Sequence, residues 1–140
     1  MKAAPAKKLA VLTCMDARLD PRAILGLEKG DAHVIRNAGG VVSDDAIRSL
    51  AISQHLLGTE EILVIQHTGC GLLTFTDEEF AQRLEHECGS RPEWRALAFT
   101  DLERSVRDSV ASLRECPFLP RPKAKGFVFD IETAELREVE

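Results

Sequence analysis

Two short stretches carry the side chains that could do chemistry. They are Cys14-Met15-Asp16-Ala17-Arg18 and His67-Thr68-Gly69-Cys70-Gly71. If the first stays extended, its side chains alternate, so Cys14, Asp16 and Arg18 point one way while Met15 and Ala17 point the other. A thiolate, a carboxylate and a guanidinium in one small space are costly without a compensating ion. With His67 and Cys70 the two stretches offer the ligand types that zinc takes in tetrahedral array. Cys14, His67 and Cys70 would be the permanent three. Asp16 would either take the fourth position or swing away and admit water, as a catalytic site requires. Arg18 makes the second arrangement reasonable, because a guanidinium holds a released carboxylate through a bidentate, charge-assisted pair. Two thiolates nearly cancel the charge of the dication. Bound water should therefore be less acidified than the pKa of about 7 at a three-histidine site, and activity should rise toward alkaline pH.

These residues can meet only if the elements before them bring them together. Leu9 to Thr13 is a continuous apolar run, the pattern of a strand covered on both faces, and it leads into Cys14. Asp20 reads as an N-cap with Pro21 at the first helical position, and Gly30 is expected to stop that helix. Ala32 to Ile35 predicts a second strand, followed by Arg36-Asn37-Ala38-Gly39-Gly40. The paired glycines either let backbone approach a small pocket or simply make a tight turn. Ser43 caps a helix that runs to Gly58, and Ile52 and Leu56 widen its apolar face, so it is expected to be covered on more than one side. Ile62 to Ile65 is the most strand-like run, and it ends in His67. Thr76 and Glu79 form a capping box for a helix through about Glu87, and Asp101 opens another with the core stripe Leu102, Val106, Val110 and Leu113. Gly126 to Ile131 and Leu136 to Val139 finish the chain as strands. Strands alternating with helices predict an α/β fold with a mainly parallel sheet, in which ligands gather beyond the carboxyl ends of strands where the strand order reverses.

With 140 residues, 44% hydrophobic and 29% charged, the chain suits a single domain spanning residues 1–140. The net charge of −5 is modest and interspersed, which argues against a nucleic-acid or membrane-surface partner. Few apolar residues follow the basic N-terminus, too few for a signal sequence, so a cytoplasmic location is expected. Four cysteines in such a chain read as thiol or metal chemistry rather than a disulfide framework. His33, His55 and His86 lack partners like those of His67 and are expected to be structural, as are Cys88 and Cys116.

The three stretches Cys14-Met15-Asp16-Ala17-Arg18, Arg36-Asn37-Ala38-Gly39-Gly40 and His67-Thr68-Gly69-Cys70-Gly71 resemble, in order and spacing, the three signatures of β-class carbonic anhydrases. The resemblance runs from about Lys8 to the C-terminus. It implies a sheet of order 2-1-3-4 with a further edge strand, flanked by helices, and one zinc ion held by Cys14, His67 and Cys70. It further implies an Asp16–Arg18 dyad gating the fourth ligand, and reversible hydration of carbon dioxide to bicarbonate and a proton by zinc-bound hydroxide. Ala38, Gly39, Gly40 and Val41 would shape the substrate pocket. A homodimer or dimer of dimers is implied, with Ile52 and Leu56 as candidate interface residues. Two departures stand out. Only about eight residues precede the first strand, where many relatives carry a helical arm, and there is no tyrosine, which places the chain nearer the small microbial branch. Two other readings fit the same residues. One is hydrolysis of carbon disulfide or carbonyl sulfide; the other is a non-catalytic zinc protein with Asp16 fixed on the metal.

Overall fold

Continuous apolar runs become strands here because a parallel sheet buries them from both sides. The computed structural model describes residues 2–140. In chain order the elements are β1 (Leu9–Cys14), α1 (Pro21–Leu25), β2 (Ala32–Asn37), α2 (Asp44–Leu57), β3 (Glu61–His67), α3 (Asp77–Cys88), α4 (Leu102–Glu115), β4 (Ala124–Phe129) and β5 (Leu136–Val139). The sheet order is β2-β1-β3-β4-β5. β1 pairs in parallel with β2 and β3, β3 pairs in parallel with β4, and β5 closes the edge antiparallel to β4. The sequence expectation of order 2-1-3-4 plus an edge strand is met.

After β1 the chain moves to one side for β2, then returns to the other side of β1 for β3. Strand order therefore reverses between β1 and β3. Thr13 lies opposite Ile65, so the loops that follow the two strands emerge side by side. That is the crevice where α/β sheets bind ligands.

One core joins the sheet to α2 and α4: Ala10, Ile62, Val64, Ala124 and Val128 from the strands meet Leu50, Val106, Val110 and Leu113 from the helices. Gly126 lets α4 lie directly on β4, since a Cβ there would come within 2.9 Å of Val110 Cγ2. The predicted stripe of α4 is borne out at Val106, Val110 and Leu113, with Leu102 only partly buried. Ile52 and Leu56, at 38% and 76% exposure, stand outside the chain's own core.

Four helix starts follow the predicted caps. Asp20, Ser43, Thr76 and Asp101 each accept a hydrogen bond from the backbone N–H three residues on. Two boundaries differ from expectation. The helix after Asp20 stops at Gly26, not Gly30, because Gly26 takes a left-handed φ of 65° and turns its N–H, with that of Leu27, back to the last carbonyls. β4 runs from Ala124 to Phe129 rather than from Gly126 to Ile131. It ends early because the Asp130 carboxylate accepts from the N–H groups of Glu132 and Thr133 and folds the chain into a turn.

Candidate metal centre

The loop after β1 and the loop after β3 deliver Cys14, His67 and Cys70 to one buried point, with ligand atoms all within 4.8 Å of one another. It is the one such His/Cys/Asp/Glu cluster among the described residues. Two features of the site fit a metal ion. His67 is wholly buried, and its Nε2 has no hydrogen-bond partner. Its Nδ1–H donates to the Thr68 carbonyl at 2.8 Å, which fixes the tautomer and leaves the Nε2 lone pair free for a ligand bond.

The sulfurs are unequal. Cys14 is held below the usual thiol range by hydrogen bonding from the Cys70 thiol, against the opposing pull of burial, with help from His67 and from the Gly39 N–H that reaches its Sγ at 3.3 Å. Cys70, as the donor in that pair and buried beside a thiolate, is pushed up. Burial tends to lower the His67 pKa, but the Cys14 sulfur facing Nε2 outweighs it, and the net shift is upward. A thiolate pair with an imidazole lone pair is the donor set zinc prefers. The ion would displace the protons that these groups otherwise share.

Asp16 stands at the rim. Its Oδ2 is 3.7 Å from His67 Nε2. Its carboxylate is gripped by Arg18, whose Nε donates to Oδ1 at 2.9 Å and whose Nη2 donates to Oδ2 at 2.7 Å, while the Arg18 backbone N–H adds a third bond to Oδ1. These bonds hold the Asp16 carboxyl well below the usual carboxylate range. The same Nη2 also donates to the Gly69 carbonyl at 3.0 Å, so Arg18 ties the two loops together.

The third loop is folded by Asn37. Its side-chain oxygen accepts from the Val41 N–H and its Nδ2 donates to the Val41 carbonyl, closing residues 38–41 into a clip. Ala38 and Val41 line an apolar cavity of about 490 Å3 with Met15, Leu72, Phe75 and Trp94. Gly39 and Gly40 are buried, and the Gly39 N–H points at the Cys14 sulfur. Gly40 sits at a φ of 64° against β1, where a Cβ would come within 2.8 Å of the Cys14 nitrogen. The paired glycines allow close backbone approach, Gly40 to the end of β1 at Thr13 and Cys14 and Gly39 to the side chains of Leu72 and Phe99.

Sequence reasoning attached no role to Arg36, Asn37 or Thr68. Arg36 donates from Nε to the Cys14 carbonyl and from Nη2 to the carbonyls of Asp16 and Leu19. His33 bonds to Ser53 and His55 to the Phe118 carbonyl, in structural roles as expected. Cys88 and Cys116 are free thiols outside the cluster.

Comparison with known proteins agrees with this geometry. The carbonic anhydrase family model matches residues 9–136. Beta-carbonic anhydrase 1 of Mycobacterium tuberculosis is 51% identical over 136 residues, covering 96% of this chain and 83% of the relative. The crystal structure of a carbonic anhydrase from Streptococcus mutans superposes with a TM-score of 0.93 at 45% identity, covering 98% of this chain and 84% of that one. A carbon disulfide hydrolase of an Acidianus strain is 35% identical over 158 residues, covering 94% of this chain and 77% of the relative. Fold, metal-ligand cluster and sequence coincide, and the chain belongs to the β-carbonic anhydrases, a family of zinc-dependent lyases.

Proposed function

We propose that the chain hydrates carbon dioxide reversibly to bicarbonate and a proton, with one zinc ion held by Cys14, His67 and Cys70. The observation that carries this reading is the orphaned Nε2 of His67 between two buried cysteines, with an ionised carboxylate locked beside it. Zinc, when bound, supplies the Lewis acidity that makes water a nucleophile near neutral pH.

The remaining tasks fall to the chain's own residues. Thr68 holds the His67 tautomer. Asp16, kept ionised by Arg18, is an acceptor that orients the attacking water through a hydrogen bond, and its pairing with Arg18 keeps it off the ligand positions. A purely structural zinc site would need Asp16 as a fourth ligand, whereas here the carboxylate is occupied by the guanidinium. Ala38 and Val41 present an apolar wall that accepts a linear, non-polar substrate without competing hydrogen bonds. Gly40 seats that wall on the end of β1, and Gly39 seats it against Leu72 and Phe99.

The two thiolates leave the dication little net charge, so activity should rise toward alkaline pH. Stopped-flow hydration should be zinc-dependent and faster on the alkaline side. A zinc-loaded protein that is inactive between about pH 8 and 9 would refute the assignment.

Carbon disulfide and carbonyl sulfide are linear molecules that the same apolar wall would admit, and the 35% identity to a carbon disulfide hydrolase keeps them as the second reading. Parallel turnover measurements on the three substrates separate the two. Identity to the mycobacterial carbonic anhydrase is higher, at 51%, and favours carbon dioxide. No helix among the described residues is long and apolar enough to cross a membrane. A cytoplasmic homodimer or dimer of dimers fits the free thiols and the exposed Ile52 and Leu56 on α2.

A further inference from the structure

Arg36 lies on β2, remote in sequence from both ligand loops, yet its guanidinium spends its donors on one of them. Nε reaches the Cys14 carbonyl at 3.0 Å, and Nη2 reaches the Asp16 carbonyl at 2.8 Å and the Leu19 carbonyl at 3.3 Å. Those carbonyls bracket the segment that contains a metal ligand, the gate carboxylate and its arginine. At this point the parallel ladder runs out. Met15 N–H still bonds to the Asn37 carbonyl at 2.7 Å, but beyond it the loop's backbone has only two local bonds to Asp16, the Leu19 N–H to its carbonyl at 3.1 Å and the Arg18 N–H to its carboxylate at 2.8 Å. Loop carbonyls without partners would be free to rotate toward solvent, carrying Asp16 with them.

We propose that Arg36 is a positioning residue: by taking three carbonyls of the Cys14–Leu19 loop on one fork, it fixes the backbone from which the Asp16 carboxylate reaches toward the ligand cluster. Two arginines then divide the work on Asp16. Arg36 holds its main chain, and Arg18 holds its side chain. Any movement of the carboxylate between Arg18 and the metal position is confined to rotation of the side chain, which keeps Oδ2 within a few ångströms of His67 Nε2 throughout. A lysine at position 36 would keep the charge and lose the planar fork, so it could not serve three acceptors in fixed directions. The inference rests on the reading of Cys14, His67 and Cys70 as zinc ligands, and its test has one arm that does not.

That arm is backbone amide exchange of the metal-free full chain, comparing the parent with Arg36→Lys. The amides followed are those of Arg18 and Leu19, which bond to Asp16, with β4 as the reference segment. Exchange at the two loop amides should quicken about tenfold while β4 is unchanged. Unchanged loop exchange overturns the proposal. So does equal quickening in β4 or a failure to fold, since either would assign Arg36 to the fold at large. Arg36→Gln, which keeps a planar donor without the charge, is run alongside and should loosen the same two amides.

The second arm is the visible absorption spectrum of cobalt-loaded protein, which reports the ligand set and its geometry. Arg36→Lys should bind one cobalt per chain as the parent does, with a displaced band pattern. An unchanged spectrum would show that the loop's position is not passed on to the metal centre, and the proposal would fall. A parent chain that takes up no cobalt would instead refute the zinc reading, and the exchange arm would still decide whether Arg36 holds the loop.

Discussion

The two ligand loops do the same job by opposite means. Both leave the carboxyl end of a parallel strand, and each brings a buried cysteine to the shared point, Cys14 where the first loop begins and Cys70 within the second. Beyond the Met15 N–H bond to the Asn37 carbonyl and the Asp16–Leu19 turn, the loop after β1 is held by side chains, with Arg36 on its carbonyls and Arg18 on its carboxylate. The loop after β3 is held by main chain. Thr68 N–H bonds to the Phe129 carbonyl, Leu73 N–H to the Cys70 carbonyl and Thr74 N–H to the Gly71 carbonyl. A loop that leans on exposed arginines can change state when one pair breaks, whereas the second loop keeps its ladder bond and two turn bonds whatever its side chains do. On the proposed function, the first loop is the gate and the second the anchor.

The largest effect should come from the anchor. His67→Ala removes the orphaned Nε2 and leaves two cysteines in a cavity. Zinc content measured after dialysis should fall far below one per chain, and hydration should fall by roughly a thousandfold or more, the scale of several kcal/mol of metal catalysis. Retained metal with retained activity would break the comparison outright, because the anchor would then be dispensable.

Asp16→Asn tests the gate. It keeps the shape and removes the ionised acceptor, so zinc should stay bound while activity drops by about 10- to 100-fold, as for other groups that orient a metal site. It also carries a pH signature. The folded-state pKa of Asp16 is depressed, so its pairing with Arg18 stabilises the fold above the unfolded carboxyl pKa of about 3.9 and is lost as pH falls through the lower folded value. Parent and variant should differ in urea unfolding by a constant amount at neutral pH and converge in strong acid. Because Asp16 is already ionised at neutral pH, its titration cannot supply the alkaline rise in activity. If the variant keeps that rise at a lower ceiling, the rise belongs to the metal centre.

The same division explains what could be read from the sequence. Strands were legible because β1 and β3 are continuous apolar runs, and the ligands were legible because Cys, His and Asp at strand ends have few other uses. Gly26 and Gly30 were not separable from sequence, since either glycine could end the helix, and only the local hydrogen bonds chose the first. The early end of β4 was missed because Ile131 continues the apolar pattern while Asp130 breaks the ladder. Arg36 and Asn37 were invisible for a deeper reason. Their partners are carbonyl oxygens, and every residue has one, so no residue type in the sequence marks where such a bond will end.

A smaller effect should come from the link between the loops. Arg18→Lys keeps a positive charge near Asp16 but loses the bidentate grip and the bond to Gly69. Activity should fall about 5- to 20-fold, equivalent to the ~1–2 kcal/mol of a charge-assisted bond, with zinc content unchanged. A larger loss than for Asp16→Asn would mean that Arg18 acts on the anchor loop as well, and the separation of gate from anchor would need to be redrawn around Gly69.

The smallest effect should be Thr68→Val. The hydroxyl accepts the Ile131 N–H at 3.0 Å, which pins the turn after β4 to the anchor loop, but the carbonyl that fixes His67 belongs to the backbone and survives the substitution. Leaving a partly buried N–H without an acceptor costs on the order of 1 kcal/mol. Urea unfolding should register that loss, while zinc content and hydration stay within about twofold of the parent, because the backbone ladder to Phe129 still holds the loop. A tenfold loss of activity at unchanged zinc content would show that the anchor depends on a side chain after all, and the contrast between the two loops would collapse to one of degree.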